Sequence, residues 1–559
     1  MGRSTNAAAT LALLWSFAGP GTPMPAGAAA PAISKVTNPG APGSPDGIQP
    51  GGDRENSYAW SMEAFRQPDG EYLWVGSNRN LLYLILRAGK LANQQITDAF
   101  QGAVGIPAGT QSTPPAPDFG ARIFRYRTDG AKPWELVYQS PLLPNPVPNP
   151  LLPPLVPLDA GFRGMQVYAG PDLTDPALYA VGFGGSLGYT RVIKFPRSFV
   201  TGDQPAEVLR IGGTQSLRAI TVHDKRLCVG TFGNEVWCND RPQEQLPFNP
   251  LVPATATATA GWEKIAGPAD FGLGSPSPLT GIWQFISYNG WLYVFVGNGV
   301  DVRNPGAAGF MVFKGRGGPS GWEWHTIVGD GGRYPKGLGS PLNAAASPFL
   351  FKGKVYVGTF FDVPGIAVQG AGGMAFLAAN WRPAQIYRFD AGDTWQMVIG
   401  DPNPLFPRRV GNSGAGFFNP SSLQRLLLPP PLDKANLSLA GYVWWMAEYR
   451  GRLYASTFDM RVVLDLLDES SLTALGVTDP ALVAHLQSLK NLLGQFNTNP
   501  AGFDLYSTAD GVNWSAVTRD GLGDPYNYGG RTLKATNRGL FVGTANPFFG
   551  AQVWRLRHK

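Results

Sequence analysis

KVYVGTF, at residues 354–360, is one of seven variants of the same phrase in this chain. The copies are EYLWVGS (71–77), ALYAVGF (177–183), RLCVGTF (226–232), WLYVFVG (291–297), KVYVGTF (354–360), RLYASTF (452–458) and GLFVGTA (539–545). Short runs rich in Val, Tyr and Phe next to turn residues are typical of β-strands. Their irregular spacing excludes a solenoid of fixed period and favours a β-propeller whose blades carry insertions.

Each copy has similar neighbours, which predicts a four-stranded repeat. An apolar strand precedes it across a tight turn, such as Tyr288-Asn289-Gly290, where Asn and Gly tolerate positive φ. A third strand follows, as in AQIYRF (384–389). A fourth usually opens with Trp, as in WQMVIG (395–400). The sequence therefore predicts an all-β fold, a single propeller over residues 31–559 with about seven four-stranded blades, and six as the alternative.

The seventh copy has no fourth strand, since the chain ends at Lys559. Residues 32–37 (AISKVT) could supply it from the other end of the chain. Closing the ring in this way would remove the open sheet edges that invite aggregation. The alternative is a disordered, Pro- and Gly-rich N-terminal arm reaching residue 52.

The composition supports a folded, turn-rich protein and excludes several partners. Of the 559 residues, 43% are hydrophobic and only 15% are charged, with 72 Gly and 51 Pro. The net charge of +6 is dispersed along the chain. A nucleic-acid stripe or a polybasic membrane anchor would need clustered charge, so neither partner is expected. No later stretch approaches 18 uninterrupted apolar residues, so no membrane span is expected, and we expect a monomer.

The N-terminus predicts secretion. Arg3, an apolar run at 7–17 and small residues at 26–30 have the pattern of a signal peptide over residues 1–30. The protein is therefore expected to be secreted or periplasmic. Cys228 and Cys238 flank a Gly-Asn turn, and in an oxidising compartment they could form a cross-strand disulfide. The alternative is a pair of buried free thiols.

Two insertions follow the second strand of their blades. Residues 81–101 and 462–496 read as helical, and Asp479-Pro480 suits the start of a helix. Such insertions could cover a face of the disk or serve as simple decoration.

Three turns carry a resemblance. DAGDTW (390–395), TADGVNW (508–514) and RTDGAKPW (127–134) resemble the Asp-box turn of sialidase-like propellers, and the repeat is loosely similar to kelch repeats. Arg388 stands where the box normally has Ser, and the second and third turns are degenerate. The resemblance implies a propeller fold and a structural role for these Asp residues. It does not imply an activity.

Three arginines occupy aligned positions in the loops that lead into the first strands: Arg163, Arg218 and Arg531. In a propeller these loops line one mouth of the central channel, where their paired N–H donors could hold a carboxylate or sulfate. The arrangement resembles the arginine triad of sialidases. The chain, however, lacks a Phe/Tyr-Arg-Ile-Pro element, and sialidases have six blades. In the alternative, each Arg pairs with a carboxylate of a neighbouring blade.

Acidic and aromatic residues are expected near the same mouth. Asp362 and Asp459, like Asp301, could act as acid, base or Ca²⁺ ligands, although turn capping is the simpler role. Trp283 and Trp444 could stack on a sugar ring or pack between blades. Tyr526 or Tyr528 could assist catalysis.

No catalytic signature decides between the functions that remain. The chain has no GxSxG, HExxH, P-loop or Rossmann motif, and its four His are widely separated. No metal site and no cofactor are therefore expected, apart from a structural Ca²⁺. The first hypothesis is a secreted protein that binds an anionic or glycan-like small molecule. The others are a carbohydrate-active enzyme, a glycoside hydrolase or polysaccharide lyase, and a protein-interaction scaffold.

Overall fold

The computed structural model describes most of the chain. The residues described are 31–37, 48, 53, 55–80, 119–145, 155–184, 188–214, 216–244, 257–274, 280–362, 384–400, 402–411, 440–459, 461 and 501–558, with isolated residues at 366, 369, 372–373, 376, 480–481, 483–484 and 487. The predicted signal peptide and the insertion at 81–101 lie outside them, as does 462–496 except for five positions.

The described residues are almost entirely β, as the turn-rich composition predicts. In chain order the strands are β1 (Ala32–Lys35), β2 (Asn56–Gln67), β3 (Gly70–Arg79), β4 (Arg122–Arg127), β5 (Glu135–Gln139), β6 (Leu142–Pro144), β7 (Leu155–Pro157), β8 (Gly161–Tyr168), β9 (Ala177–Phe183), β10 (Tyr189–Pro196), β11 (Ala206–Gly212), β12 (Leu217–His223), β13 (Arg226–Thr231), β14 (Val236–Asn239), β15 (Glu263–Ala266), β16 (Thr280–Tyr288), β17 (Trp291–Asn298), β18 (Met311–Gly318), β19 (Gly321–Val328), β20 (Ala345–Phe351), β21 (Lys354–Phe360), β22 (Ile386–Phe389), β23 (Trp395–Ile399), β24 (Ala440–Tyr449), β25 (Arg452–Asp459), β26 (Leu505–Thr508), β27 (Trp514–Thr518), β28 (Gly529–Thr536), β29 (Gly539–Ala545) and β30 (Val553–Arg557). Short 3₁₀ turns lie at Pro268–Phe271, Pro305–Ala307 and Lys336–Leu338.

Antiparallel pairing groups these strands into successive four-stranded units. Within the described residues, the units are β2–β5, β8–β11, β12–β15, β16–β19, β20–β23, β24–β27, and β28–β30 with β1. The last unit takes its outer strand from the N-terminal end, because Ala32–Lys35 pairs antiparallel with Val553–Arg557. A separate small hairpin, β6–β7, connects the first two units.

The first strand of each unit, here called the inner strand, contacts the inner strands of both neighbours. These contacts run from β2 through β8, β12, β16, β20, β24 and β28 and back to β2, which makes a closed ring. The hydrophobic core lies between the faces of adjacent units. One cluster, for example, joins Phe65 and Trp74 of the first unit to Phe162 and Phe195 of the second.

The recurrent glycine of the repeated phrase permits this packing. A Cβ atom at Gly230 would lie 2.5 Å from the side chain of Ile282 in the next unit. A Cβ atom at Gly358 would lie 2.5 Å from the side chain of Val443, again in the next unit. Adjacent sheets can approach this closely only where no side chain stands between them.

The two cysteines form a disulfide across paired strands. Cys228 of β13 lies directly opposite Cys238 of β14, and both are fully buried.

The Asp-rich turns serve local structure. Asp390 Oδ1 accepts the backbone N–H groups of Gly392 and Thr394, at 3.0 and 3.1 Å.

Asp504 gives the fold a testable pH dependence. Burial raises the pKa of its carboxyl group to about 6. An unfolded Asp has a pKa of about 3.9, so between about pH 4 and 6 the folded state binds more protons than the unfolded state, and the free energy of unfolding falls as the pH rises. Asp504→Asn can still accept a hydrogen bond from the Tyr506 hydroxyl, which lies 2.8 Å from the carboxylate. We expect it to raise the free energy of unfolding at pH 7.5 by about 1–2 kcal/mol. Urea unfolding at pH 4.5 and 7.5 measures this, and an equal change with pH in both proteins would contradict it.

Candidate functional site

The inner strands carry β-bulges at equivalent positions. In the described chain, six of the seven inner strands contain one residue that has no partner on the adjacent second strand, so the pairing register shifts by one there. The seventh inner strand, β20, pairs without any shift. The skipped residues are Trp60, Arg163, Arg218, Trp283, Trp444 and Arg531. A bulge leaves its extra residue unpaired and re-aims its side chain. The bulges thus present three Trp and three Arg around the axis of the ring.

These six side chains form three Arg–Trp pairs, each between adjacent units. The guanidinium carbon of Arg218 lies 3.5 Å from the ring centroid of Trp283. The corresponding distances are 4.6 Å from Arg163 to Trp60 and 5.2 Å from Arg531 to Trp444. A guanidinium over an aromatic face gains from the ring quadrupole and keeps its N–H edges available for other acceptors.

Two glycines make room for two of the Trp rings. A Cβ atom at Gly161 would lie 2.0 Å from a ring carbon of Trp60, and one at Gly529 would lie 2.1 Å from a ring carbon of Trp444. Each glycine belongs to the inner strand of the following unit. The bulged Trp of one unit therefore rests on the bare backbone of the next.

Tyr442 positions one of the arginines. Its hydroxyl oxygen accepts hydrogen bonds from Nη2 of Arg218 at 3.2 Å and from Nε1 of Trp283 at 2.8 Å. Nε of Arg218 also donates to the backbone oxygen of Trp283, at 3.1 Å. The plane of Arg218 is therefore held from two sides.

The other two arginines keep unsatisfied donors. Arg163 donates through Nη1 to the Ser216 hydroxyl at 3.2 Å, while its Nε has no hydrogen-bond partner among the described residues. Neither Nε nor Nη1 of Arg531 has a partner in that part of the chain, although Arg531 is only 1% exposed. The described residues also place no carboxylate in ion-pair contact with any of the three arginines.

Burial lowers the pKa values of all three arginines, and neighbouring arginines lower two of them further. Burial, reinforced by Arg218 and Arg531, places the pKa of Arg163 well below its ordinary value. Burial, reinforced by Arg218, lowers the pKa of Arg531 to about 9. Burial also lowers the pKa of Arg218, opposed by Tyr442. The cluster is therefore a buried, net positive site of the kind that an anion would stabilise.

A channel of about 470 Å³ leads away from the arginines along the inner strands. Arg163 and Arg218 line one end of it, and Leu350 and Glu448, both exposed, line the other. Arg531 belongs to the same cluster but is not part of the channel wall. Side chains of all seven inner strands contribute to its wall. A cavity of this size matches small-molecule sites, which typically measure about 300–1,000 Å³.

The structure brings some of the candidate residues predicted from sequence into the Arg–Trp cluster and leaves others outside it and outside the channel wall. Trp283 and Trp444 join the three arginines in the pairs described above. Asp362 and Asp459, which follow β21 and end β25, are not part of the channel wall. The carboxylate of Asp459 accepts the backbone N–H of Arg461 at 2.7 Å, as the capping alternative expected. Tyr526 also lies outside the wall, with its ring 4.7 Å from that of Phe549.

Sequence reasoning missed Tyr442 and the Arg–Trp pairing. Tyr442 lies two residues before Trp444 on the same inner strand, but its partner Arg218 belongs to another part of the chain. The signal in the sequence that could have revealed the Arg–Trp pairing is the residue type at the bulge position, which is Trp or Arg in six units.

The described residues contain no group of three or more His, Cys, Asp or Glu side chains placed to hold a metal ion. Among the helices of the described chain, none has the length and apolar character needed to cross a membrane.

Comparison with known proteins gave structural matches only. No family model matches the chain, and no curated protein matches it in sequence. The α-L-arabinofuranosidase arb93a of Fusarium graminearum matches with a TM-score of 0.33 and 10% identity, over 77% of this chain and 93% of that one. Saccharomyces cerevisiae Sqt1 matches with a TM-score of 0.36 and 9% identity, over 91% and 98%. The GH43_1 enzyme from Xanthomonas citri, solved with xylose, matches with a TM-score of 0.24 and 9% identity, over 60% and 85%.

Proposed function

We propose that this protein binds a small anion in the central channel of a seven-bladed β-propeller, with Arg163, Arg218 and Arg531 as its cationic ligands. The observation that carries the proposal is the cluster itself. Arg218 and Arg531 are buried and Arg163 is half-buried, Arg218 lowers the pKa values of the other two, and no carboxylate among the described residues forms an ion pair with any of the three.

Such a cluster is costly in the absence of a ligand. Removing an ion from water costs several kcal/mol in a real protein unless an opposite charge or hydrogen bonds compensate it. Compensation at Arg163 and Arg531 is incomplete, because one and two of their N–H-bearing nitrogens respectively lack acceptors in the described chain. A carboxylate, phosphate or sulfate supplies both the charge and the acceptor oxygens.

The Trp rings favour an anion over a neutral glycan as the primary ligand. Trp283 and Trp444 already have guanidinium groups over their faces. Their role in this proposal is to hold the arginine planes in place and not to stack on a sugar.

Seven blades and secretion complete the proposal. The seven four-stranded units and the closed ring of inner strands support the blade count, and the pairing of β1 with β30 supports closure from the N-terminus. The buried Cys228–Cys238 disulfide supports an oxidising compartment, in agreement with the signal-like residues 1–30.

No specific contact favours the enzyme or the scaffold. The carboxylates on the described channel wall are Glu63 and Glu448, and Glu63 forms an ion pair with Lys534. The segments proposed as a scaffold interface lie mostly outside the described residues.

Isothermal titration of the mature protein with inorganic phosphate at low ionic strength tests the proposal. We expect saturable binding with one site per chain, and an affinity about 30- to 150-fold lower in Arg218→Gln, because a buried charge-assisted contact is worth about 2–3 kcal/mol. Arg316→Gln is the matched control, since Arg316 is 55% exposed and lies outside the channel wall. Repeating the titration with sulfate and acetate covers the other oxyanions. Binding of none of the three, or equal affinities in Arg218→Gln and the wild type, would contradict the proposal.

A further inference from the structure

We infer that the ligand is an amphiphilic organic anion, whose carboxylate or related head group meets the arginines and whose apolar part extends along the channel. This inference rests on the proposed anion site. It adds a class of ligand that the arginines alone do not specify.

The wall of the channel changes character with distance from the arginines. On β12, Arg218 is followed by Ile220, which is half-buried and lines the channel. The residue two places after the bulge is also apolar and lines the channel on the other bulged strands: Met62, Met165, Phe285, Met446 and Leu533. Ile286 and Phe349 of two neighbouring units extend this apolar wall. A band of apolar side chains therefore follows the cationic layer, and the wall beyond it includes Gln166 and the Glu63–Lys534 ion pair.

The dimensions suit a short chain. The wall on β12 extends from Arg218 to Thr221, and three residues of strand span about 10 Å. An inorganic oxyanion would occupy only the arginine end and leave the apolar band of the 470 Å³ channel uncovered. A medium-length acyl or aryl group would cover it, and burying each CH₂ group contributes about 0.8 kcal/mol.

The exposed groups at the two ends indicate the direction of binding. At the arginine end, Arg218, Trp60 and Trp444 are buried, and Trp444 packs against Phe458 and Tyr528. At the opposite end, Leu350 is 41% exposed and Glu448 is also exposed. The geometry therefore places the head group deep in the channel and the end of the tail near Leu350 and Glu448.

The test compares octanoate, acetate, octanol and phosphate by isothermal titration of the mature protein. We expect octanoate to bind about 50-fold more tightly than acetate, which corresponds to burial of about three of its six additional CH₂ groups. Octanol should bind far more weakly than octanoate, because it has no charge for the arginines. Ile220→Ala should weaken octanoate about fivefold and leave phosphate unchanged. Val222→Ala is the matched control, since Val222 is half-buried on the same strand, packs against the same cluster and is not part of the channel wall.

The outcomes separate this inference from the proposed function. If phosphate and acetate bind but octanoate binds no more tightly than acetate, the amphiphilic ligand is wrong and the anion site stands. If octanol binds as well as octanoate, the arginines do not recognise the head group, and the inference is again wrong. If phosphate, sulfate and all carboxylates fail to bind, the anion site itself is wrong. Should Ile220→Ala fold poorly, Phe349→Ala tests the same band from another unit.

Discussion

Arg531→Met is expected to make the ligand-free protein more stable and to weaken anion binding in the same variant. Arg531 is 1% exposed, and two of its guanidinium nitrogens have no hydrogen-bond partner in the described chain. Met removes a charge whose burial is incompletely compensated and roughly retains the volume of the side chain. We expect the free energy of unfolding to rise by about 2 kcal/mol in an anion-free buffer, within the range seen when buried ionic groups are replaced by apolar ones. Phosphate affinity should fall at least 30-fold.

Arg210→Met is the matched control for this result. Arg210 is equally buried, at 2% exposure, but its Nε lies 2.6 Å from a carboxylate oxygen of Glu207. Removing it leaves a buried carboxylate with part of its compensation lost, so about 3–5 kcal/mol of stability should be lost. Urea unfolding of both variants, with and without phosphate, provides the comparison. If Arg531→Met loses as much stability as Arg210→Met, Arg531 has a structural partner and the proposed anion site is wrong.

Deletion of residues 1–37 is expected to destabilise the whole ring. Without Ala32–Lys35, strand Val553–Arg557 loses four paired residues, and Trp134 Nε1 loses its acceptor, the backbone oxygen of Val36 at 2.8 Å. At about 1 kcal/mol for each net hydrogen bond, the loss is on the order of 3 kcal/mol. The exposed edge of β30 also becomes a template for pairing with another chain. We expect a lower thermal midpoint and aggregation visible by light scattering.

The matched control is deletion of residues 1–30, which leaves the closing strand intact. This deletion gives the expected mature protein, which should keep the higher thermal midpoint and show no aggregation by light scattering. If the two deletions behave alike, the β1–β30 pairing contributes little to stability and the ring does not depend on closure from the N-terminus.

Much of the architecture follows from local sequence. The seven phrases mark second strands because each combines apolar β-formers with turn residues, and tight turns such as Asn289-Gly290 connect them to the inner strands. The position of the glycine within the phrase has a tertiary cause, because Gly230 and Gly358 lie where the next unit packs. The repeat itself could be read from the chain, whereas the reason for its glycine could not.

The chemistry of the site depends on tertiary structure more than the architecture does. Aligned positions identified Arg163, Arg218 and Arg531 from sequence, because equivalent positions in repeated units face the same axis. Carboxylate pairing was an open alternative for each of them, since sequence does not show which side chains meet between units. The aspartates chosen with them, Asp362 and Asp459, are not part of the channel wall, and the carboxylate of Asp459 accepts a backbone N–H at the end of its own strand.

Local patterns in the chain were enough to predict a repeated β-unit, a terminal segment able to complete the last unit, and three arginines at equivalent positions. The surroundings of those arginines depend instead on contacts between units. A bulge re-aims one residue in each of six inner strands, and ring closure brings these residues together around one axis. Each Arg then meets a Trp from the neighbouring unit, and no carboxylate among the described residues pairs with it, because charge compensation depends on contacts between segments far apart in the chain.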